Sequence, residues 1–170
     1  MDTKRKIRQS ALIMIAASML VYCGAWAAVP QVAYASFDAG SGTEENPWII
    51  TTAEQLSDIR NDLDAHYRLG DDIDLQSYLS DGGAGYDGGK GWQPIGTLAD
   101  PFVGSLDGNG YEIAHLTFNR PDEYRVGLFG VIGSDAIMED VALTDVAVLG
   151  IGAVGALVGL ADGGTIVRSS

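Results

Sequence analysis

Residues 126–159 read VGLFGVIGSDAIMEDVALTDVAVLGIGAVGALVG, and the arrangement of this stretch decides the fold. Its opening motif, GLFG at 127–130, returns as ALVG at 156–159, a spacing of 29 positions. Ile137 recurs as Ile166 at the same spacing. A repeat of this length, with glycine at fixed points, predicts stacked coils that bury a continuous core.

Between the two copies of the motif, apolar and polar residues alternate. Val141 and Leu143 stand two positions apart, and Val146 and Val148 continue the alternation after a shift at 144–145. Alternation of this kind places the apolar side chains on one face of an extended chain. The stretch therefore predicts short strands rather than helices.

The motif residues are predicted to have two structural roles. Glycine accepts a positive φ and lets neighbouring backbones approach closely, which suits the corners of the coils. The predicted corner residues are Gly127, Gly130, Gly155 and Gly159. The residues predicted to fill the stacked core are Leu128, Phe129, Leu157 and Val158.

The first 35 residues have the pattern of an export signal. A basic region comes first, with four cations: Lys4, Arg5, Lys6 and Arg8. An apolar stretch at 11–29 and the small-x-small sequence AYA at 33–35 follow, which predicts cleavage after Ala35. An uncleaved membrane anchor is the alternative, since the apolar stretch is nearly long enough to span a bilayer. The Ala- and Ser-rich composition favours removal, so a secreted or cell-surface location is expected.

Composition argues against several classes of function. Cys23 is the only cysteine and lies in the leader, so the exported chain would have neither a disulfide nor a thiol nucleophile. Residues 36–170 contain 22 acidic and 6 basic residues, an excess of 16 negative charges. Such a surface repels nucleic acid and anionic lipid and favours cations. Neither a nucleic-acid partner nor membrane contact is expected for the exported part.

The exported part divides into a linker and a folded module. Residues 36–48, rich in Gly, Ser and Asp, are predicted to be the linker, and residues 49–170 the module. Within the module, a long Gly- and Asp-rich loop is expected at 78–91. The sequence DGNG at 107–110 is the strongest turn signal, because Asn-Gly and Asp-Gly accept left-handed conformations.

One α-helix is predicted, near 52–65. The Ser/Thr-x-x-Glu/Gln spacing allows two capping boxes at its start: Thr51 with Glu54, or Thr52 with Gln55. Apolar residues at i, i+3 and i+7 form one stripe along the helix: Leu56, Ile59 and Leu63. This stripe is expected to cover the open first coil, since terminal coils need a cap.

The sequence stops at Ser170, in the middle of a predicted strand and without a C-terminal cap. An array of coils that ends in this way exposes unpaired backbone groups. Either the chain is a fragment of a longer protein, which this pattern favours, or something else caps its end. Self-association through the uncapped end is a further expectation.

The ordered set of motifs resembles bacterial exported proteins that carry the GLUG motif, known from the N-terminal regions of immunoglobulin A metalloproteases. Beside GLFG and GALVG, the resemblance rests on five segments: NPW at 46–48, TAEQL at 52–56, DIDL at 72–75, GWQPIG at 91–96 and PFVGSLDGNG at 101–110. It implies a mainly β fold, a right-handed parallel β-helix, on a secreted or surface-anchored protein. Members of this family often carry adhesive, cell-wall-binding or protease domains. The sequence contains no His-Glu-x-x-His zinc motif, so protease activity is not carried over.

The cluster of Asp71, Asp72 and Asp74 is a candidate calcium site. Carboxylate oxygens are the ligands that Ca²⁺ prefers. Alternation along a strand would place Asp71 opposite the other two carboxylates, so solvated turn residues are the favoured interpretation. No cofactor is therefore predicted, and Ca²⁺ remains the alternative at these three residues.

A glycan contact is predicted at Tyr78, Tyr86 and Trp92, which lie in or beside the loop at 78–91. Aromatic faces stack on sugar rings, and the nearby Asp81 and Asp87 could accept hydrogen bonds from hydroxyl groups. The tyrosines are the better candidates, because Trp92 begins an apolar strand and is expected to pack in the core.

No catalytic group is predicted. Carboxylate pairs are expected by chance in a chain this acidic, and His66 and His115 have no partner at nucleophile or metal spacing. The sequence therefore favours a non-catalytic structural or adhesive module that presents its loops to cell-wall glycans, host glycans or surface proteins. The alternatives are a polysaccharide lyase or glycoside hydrolase built on a β-helix, and an accessory region of a surface protease whose catalytic domain is absent here.

Overall fold

The computed structural model describes residues 36–170. The predicted leader at 1–35, with Cys23 and the cleavage position after Ala35, lies outside the described residues. Within residues 36–170, no helix has the length and hydropathy needed to cross a lipid bilayer.

The described chain is mainly β, with twelve short strands and little helix. In chain order its elements are β1 Trp48–Ile50, α1 Ala53–Asp58 with a 3-10 turn at Ile59–Asn61, β2 His66–Leu69, β3 Ile73–Asp74, α2 Gln76–Leu79, β4 Ser105–Asp107, β5 Glu112–Ala114, β6 Thr117–Asn119, β7 Phe129–Ile132, β8 Ile137–Glu139, β9 Ala142–Thr144, β10 Ala147–Leu149, β11 Val158–Ala161 and β12 Thr165–Val167.

The twelve strands form four separate sheets, and every pairing between them is parallel. The largest sheet has the order β1-β2-β4-β8-β12, and the others are β3-β5-β9, β6-β10 and β7-β11. From β4 onward, each strand pairs with the strand four places later in the chain. Parallel partners need a long connection between them, and here that connection visits the other three sheets.

The repeat seen in the sequence sets the register between β7 and β11. Val158 pairs with Phe129, 29 positions earlier, as the motif spacing predicts. The predicted equivalence of Ile137 and Ile166 is wrong by one residue, because Ile166 pairs with Met138. The connection at 133–136 is one residue longer than the connection at 162–164, which shifts the register between the two strand pairs. Met138, which also pairs with the buried Leu106, is buried, whereas Ile137 is exposed.

The core follows the inward positions of these sheets, one above another. In the largest sheet Tyr67, Leu106 and Met138 pair in register, and all three are buried. Phe102 and Phe129 continue the stack, with ring centroids 4.7 Å apart. Leu128 and Phe129 are fully buried, as the sequence predicts, whereas Leu157 and Val158 are only half-buried. The large exposed apolar side chains of the last strands and their connections are Val148, Leu149, Ile151, Val154 and Ile166.

The motif glycines are required for close backbone approach, and none of the four has a positive φ. A Cβ on Gly127 would lie 2.8 Å from the backbone nitrogen of Gly159. One on Gly130 would lie 2.8 Å from the carbonyl oxygen of Gly96. Gly130 and Gly159 lie within β7 and β11 rather than at corners. Successive backbones approach so closely here that a side chain would be forced against a carbonyl or amide.

The helix α1 begins as predicted at the second of the two capping boxes. The Thr52 hydroxyl accepts a hydrogen bond from the Gln55 amide, and the Gln55 side chain accepts one from the Thr52 amide. The helix ends with the 3-10 turn at Asn61, not near residue 65, because Asp62 is extended and leads into β2. Leu56 and Ile59 are fully buried, and Leu63 packs against the core from beyond the helix.

Two other boundaries differ from the predicted ones. Residues 36–48 fold back on β1, where the Ile49 amide donates to the Ala39 carbonyl (2.9 Å) and Phe37 stacks on Trp48 (5.2 Å between ring centroids). This segment therefore packs against the module, because its aromatic residues find apolar partners there. Tyr78 belongs to α2, so the loop after it is shorter than predicted.

Candidate functional site

A pocket of about 340 Å³ brings together the three residues for which a glycan contact is predicted. Tyr78, Tyr86 and Trp92 all line it. The remaining lining residues come from α1 with its 3-10 turn, α2, the loop at 80–91 and the segment after Trp92: Ser57, Arg60, Leu79, Ala84, Gly85, Asp87 and Gln93.

Trp92 forms the floor of the pocket and is fixed to the sheets behind it. Its backbone amide donates to the Thr117 carbonyl (2.8 Å), and its indole Nε1 donates to the Leu128 carbonyl (3.1 Å). Only 1% of the residue is exposed, so its main role is packing, as the sequence favours. The ring centroid of Tyr78 lies 6.0 Å from that of Trp92, with the two planes at 47°.

The loop at 80–91 wraps closely around Tyr78. The Gly85 amide donates to the Tyr78 carbonyl (3.0 Å), and a Cβ on Gly85 would overlap the Tyr78 ring. A Cβ on Gly83 would overlap the carbonyl oxygen of Ser77. The two glycines therefore let the loop lie against the ring and bring Tyr86 to the pocket, where 44% of Tyr86 is exposed.

Arg60 lies above the indole at the edge of the pocket. Its guanidinium carbon is 5.7 Å from the centroid of the Trp92 ring, within cation–π range. Arg60 Nε donates to the Ser57 carbonyl (2.7 Å), and Arg60 Nη2 donates to the Gln93 carbonyl (3.2 Å). Burial lowers the pKa of this guanidinium, which nevertheless stays charged at neutral pH.

Arg120 ties the pocket's loop to the strands and is nearly fully buried. It donates from Nη2 to Asp87 Oδ2 (2.8 Å), from Nε to the Trp92 carbonyl (2.9 Å) and from Nη1 to the Glu123 carboxylate (3.0 and 3.1 Å). A buried arginine with this set of partners holds Asp87 at the rim of the pocket. Sequence reasoning missed Arg120 and Arg60, because the partners that place them at the pocket, Asp87, Trp92 and Gln93, are reached only through the fold.

Each of the three aspartates of the candidate calcium site accepts a hydrogen bond from a different neighbour. Asp71 accepts from the Asp72 amide (2.9 Å), and Asp72 accepts from the Glu112 amide (2.9 Å). Asp74 accepts from the Gln76 amide (2.8 Å) and interacts with His115 (2.9 Å); these two contacts, the amide first, lower its pKa. Within residues 36–170, no group of three His, Cys, Asp or Glu side chains is arranged to hold a metal ion.

Both histidines have side-chain partners that the sequence does not reveal. Parallel register places His66 beside Ser105, and His66 Nδ1 lies 2.8 Å from Ser105 Oγ. His115 lies between two carboxylates, with Nδ1 2.9 Å from Asp74 and Nε2 3.8 Å from Asp145. These are contacts of the kind that cross-strand pairs make, and they fit the structural or surface role that the sequence favours for both histidines.

Comparison with known proteins gives two relatives. The chain is 44% identical over 110 residues to a protein of Evansella cellulosilytica named "Putative Gly-rich membrane protein", a match that covers 64% of this chain and 12% of that protein. It is 34% identical over 128 residues to Halomucin of Haloquadratum walsbyi, covering 73% of this chain and 1% of Halomucin. The chain thus corresponds to a small part of each relative. No protein-family model and no solved structure matches it.

Proposed function

We propose that residues 36–170 are a non-catalytic structural and adhesive module of a bacterial cell-surface or secreted protein, which presents a glycan-binding pocket on a right-handed parallel β-helix. The observation that carries this proposal is the pocket itself. The pocket brings Tyr78 and Tyr86 beside Trp92, which forms its floor and is hydrogen-bonded to the Leu128 carbonyl behind it.

The β-helix part of the proposal rests on the order of the strands. From β4 onward, successive strands belong to different sheets and each pairs with the strand four places later. Stacked coils produce this pattern, with inward side chains forming one core. A right-handed path is proposed because parallel connections are almost always right-handed. In this arrangement α1 would cap the first coil with Leu56 and Ile59.

A surface location is supported by the leader-like sequence and by the relatives. Residues 1–35 have the composition of an export signal, and one relative is named as a membrane protein. The acidic composition favours solubility outside the cell. The GLUG resemblance belongs to the same proposal, since proteins of that family are exported and carry such repeats beside other domains.

Glycan binding is supported by the chemistry of the pocket. Its volume, about 340 Å³, lies near the lower end of the range for small-molecule sites, which suits one or two sugar units. The exposed face of Tyr86 can stack on a sugar ring. Asp87, Gln93 and Ser57 line the same pocket and supply polar groups for hydroxyls. The floor is rigid, which lowers the ordering cost of binding.

Replacing Tyr86 by Ala tests the proposed glycan site. We expect the purified protein to bind at least one glycan in a screen of cell-wall and host glycans, and Tyr86→Ala to weaken that binding about fivefold or more, since a stacking aromatic contributes about 1 kcal/mol or more. Tyr124→Ala is the matched control, because Tyr124 is 62% exposed and lies outside this pocket. Its affinity should equal that of the wild type.

Failure of the intact protein to bind any glycan in the screen would overturn the glycan site. The non-catalytic part has its own test, in which the same polysaccharides are incubated with the protein and analysed for new chain ends. Turnover that disappears when one carboxylate is changed to its amide would establish an enzyme instead.

A further inference from the structure

We propose that the ligand of this pocket is an acidic saccharide, one with a carboxylate on the sugar ring, and that Arg60 is the residue that binds the carboxylate. The inference rests on the proposed glycan site and adds the chemical class of its ligand.

The first step concerns the hydrogen bonds that Arg60 makes. A guanidinium has five N–H donors. Two of these reach the carbonyls of Ser57 and Gln93, which leaves three donors on Nη1 and Nη2 for a ligand. Those two anchors and the indole below fix the plane of the group, so the remaining donors are oriented before a ligand arrives.

The second step compares Arg60 with the other cations. Among the six cations of residues 36–170, four form ion pairs with carboxylates: Arg68, Lys90, Arg120 and Arg168. Arg60 instead donates hydrogen bonds to two neutral backbone carbonyls, those of Ser57 and Gln93. Burial is the largest influence on its pKa and lowers it, ahead of the opposing influences of Tyr78 and then Asp58. A ligand carboxylate would offset that loss of hydration.

The third step is the division of roles within the pocket. The planar fork of an arginine matches a carboxylate in a way that a lone hydroxyl does not. Asp87 has one oxygen occupied by Arg120, and its other oxygen can accept a hydrogen bond from a sugar hydroxyl. Arg120 also offsets the negative charge of Asp87 beside an anionic ligand. The exposed ring of Tyr86 would then contact the face of the sugar.

The experiment measures binding of the purified protein to oligosaccharides of galacturonate, glucuronate and mannuronate by calorimetry. Each acidic oligosaccharide is paired with its carboxyl-reduced, neutral counterpart. We expect at least one acidic oligosaccharide to bind about tenfold or more tightly than its neutral counterpart, because a hydrogen bond between two charged groups is stronger than one between neutral groups.

Variants of Arg60 identify the residue responsible. Arg60→Gln should lose about tenfold or more in affinity for the acidic oligosaccharide and leave binding of any neutral one nearly unchanged. Arg60→Lys keeps the charge without the planar fork, and its affinity should lie in between. Arg68→Gln is the matched control, since Arg68 is half-exposed and pairs with Asp107 away from this pocket. Melting temperatures of all variants are measured alongside.

The outcomes separate this inference from the proposed function. Equal affinity for acidic and neutral forms, or an Arg60→Gln variant that melts as the wild type does and keeps its preference for the acidic form, would overturn the inference and leave the glycan site standing. Binding of neutral glycans alone would have the same meaning. Absence of binding to every saccharide, acidic or neutral, would overturn both.

Discussion

Leu128 shows how a single side chain connects the repeat to the core and to the pocket. It is fully buried, and its amide donates to the Ala156 carbonyl in the other copy of the motif (2.9 Å). Its own carbonyl accepts hydrogen bonds from the Ile95 amide (3.0 Å) and from the indole of Trp92 (3.1 Å). One residue thus joins neighbouring backbone segments and fixes the floor of the pocket.

Truncation of Leu128 should therefore be costly. Leu128→Ala removes a buried side chain, and we expect it to lower the free energy of unfolding by about 2–5 kcal/mol in chemical denaturation. Leu149→Ala is the control with the same change in chemistry, because 52% of Leu149 is exposed. It should change the free energy by about 0.5 kcal/mol or less. Equal effects of the two substitutions would contradict the stacked core.

Individual residues also show what sequence reasoning can and cannot reach. The motif spacing correctly predicted the burial of Leu128 and Phe129. It wrongly paired Ile166 with Ile137, because the connection before β12 is one residue shorter than the connection before β8 and Ile166 pairs with Met138 instead. Arg60 and Arg120 were missed because the contacts that place them at the pocket, to the carbonyls of Gln93 and Trp92, join residues far apart in the sequence.

Among the elements, α1 has a clear local sequence signal at its start and none at its end. Its start follows from short-range hydrogen bonds between Thr52 and Gln55, which a sequence pattern encodes. Its end depends on the chain turning into β2, where the Tyr67 hydroxyl donates to the Asp62 carbonyl (2.7 Å). The sequence therefore offered two adjacent starts for the helix, one of which the structure has, and extended the helix too far. Tertiary contacts decide the end.

Removal of the cap should weaken this element measurably. Thr52→Ala deletes the hydroxyl that accepts the hydrogen bond from the Gln55 amide, and we expect a loss of about 1 kcal/mol in the free energy of unfolding. Thr52→Ser keeps an equivalent acceptor and should unfold nearly as the wild type does. A Thr52→Ala protein as stable as wild type in urea titration would show that the capping box contributes nothing to the fold.

At the scale of the whole molecule, the parallel sheets support the loop that lines the pocket. From β4 onward each strand pairs in parallel with the strand four places later, and the loop at 80–91, in the connection between β3 and β4, lines the pocket. The repeat predicted the pairing of β7 with β11, and the sequence suggested the three aromatic residues. It did not predict that α1 and the loop at 80–91 would meet around Trp92, because no periodic pattern encodes that contact.

The register of the parallel sheets is the central claim of this account, and a pair of cysteines tests it most directly. Thr117 of β6 pairs with Ala147 of β10, and both are exposed. Neighbouring strands lie about 4.8 Å apart, which is within the range of Cα separations that a disulfide can bridge. Thr117→Cys with Ala147→Cys, in a Cys23→Ser background, should form a disulfide on mild oxidation, measured as loss of alkylation in mass spectrometry.

The control places the second cysteine one residue further along, as Thr117→Cys with Val148→Cys. Val148 pairs with Phe118 and faces the opposite side of its strand from Ala147, so this protein should keep both thiols free. A disulfide in the first protein and free thiols in the second is the predicted result. Free thiols in the first protein, or a disulfide only in the second, would contradict the parallel register of β6 and β10.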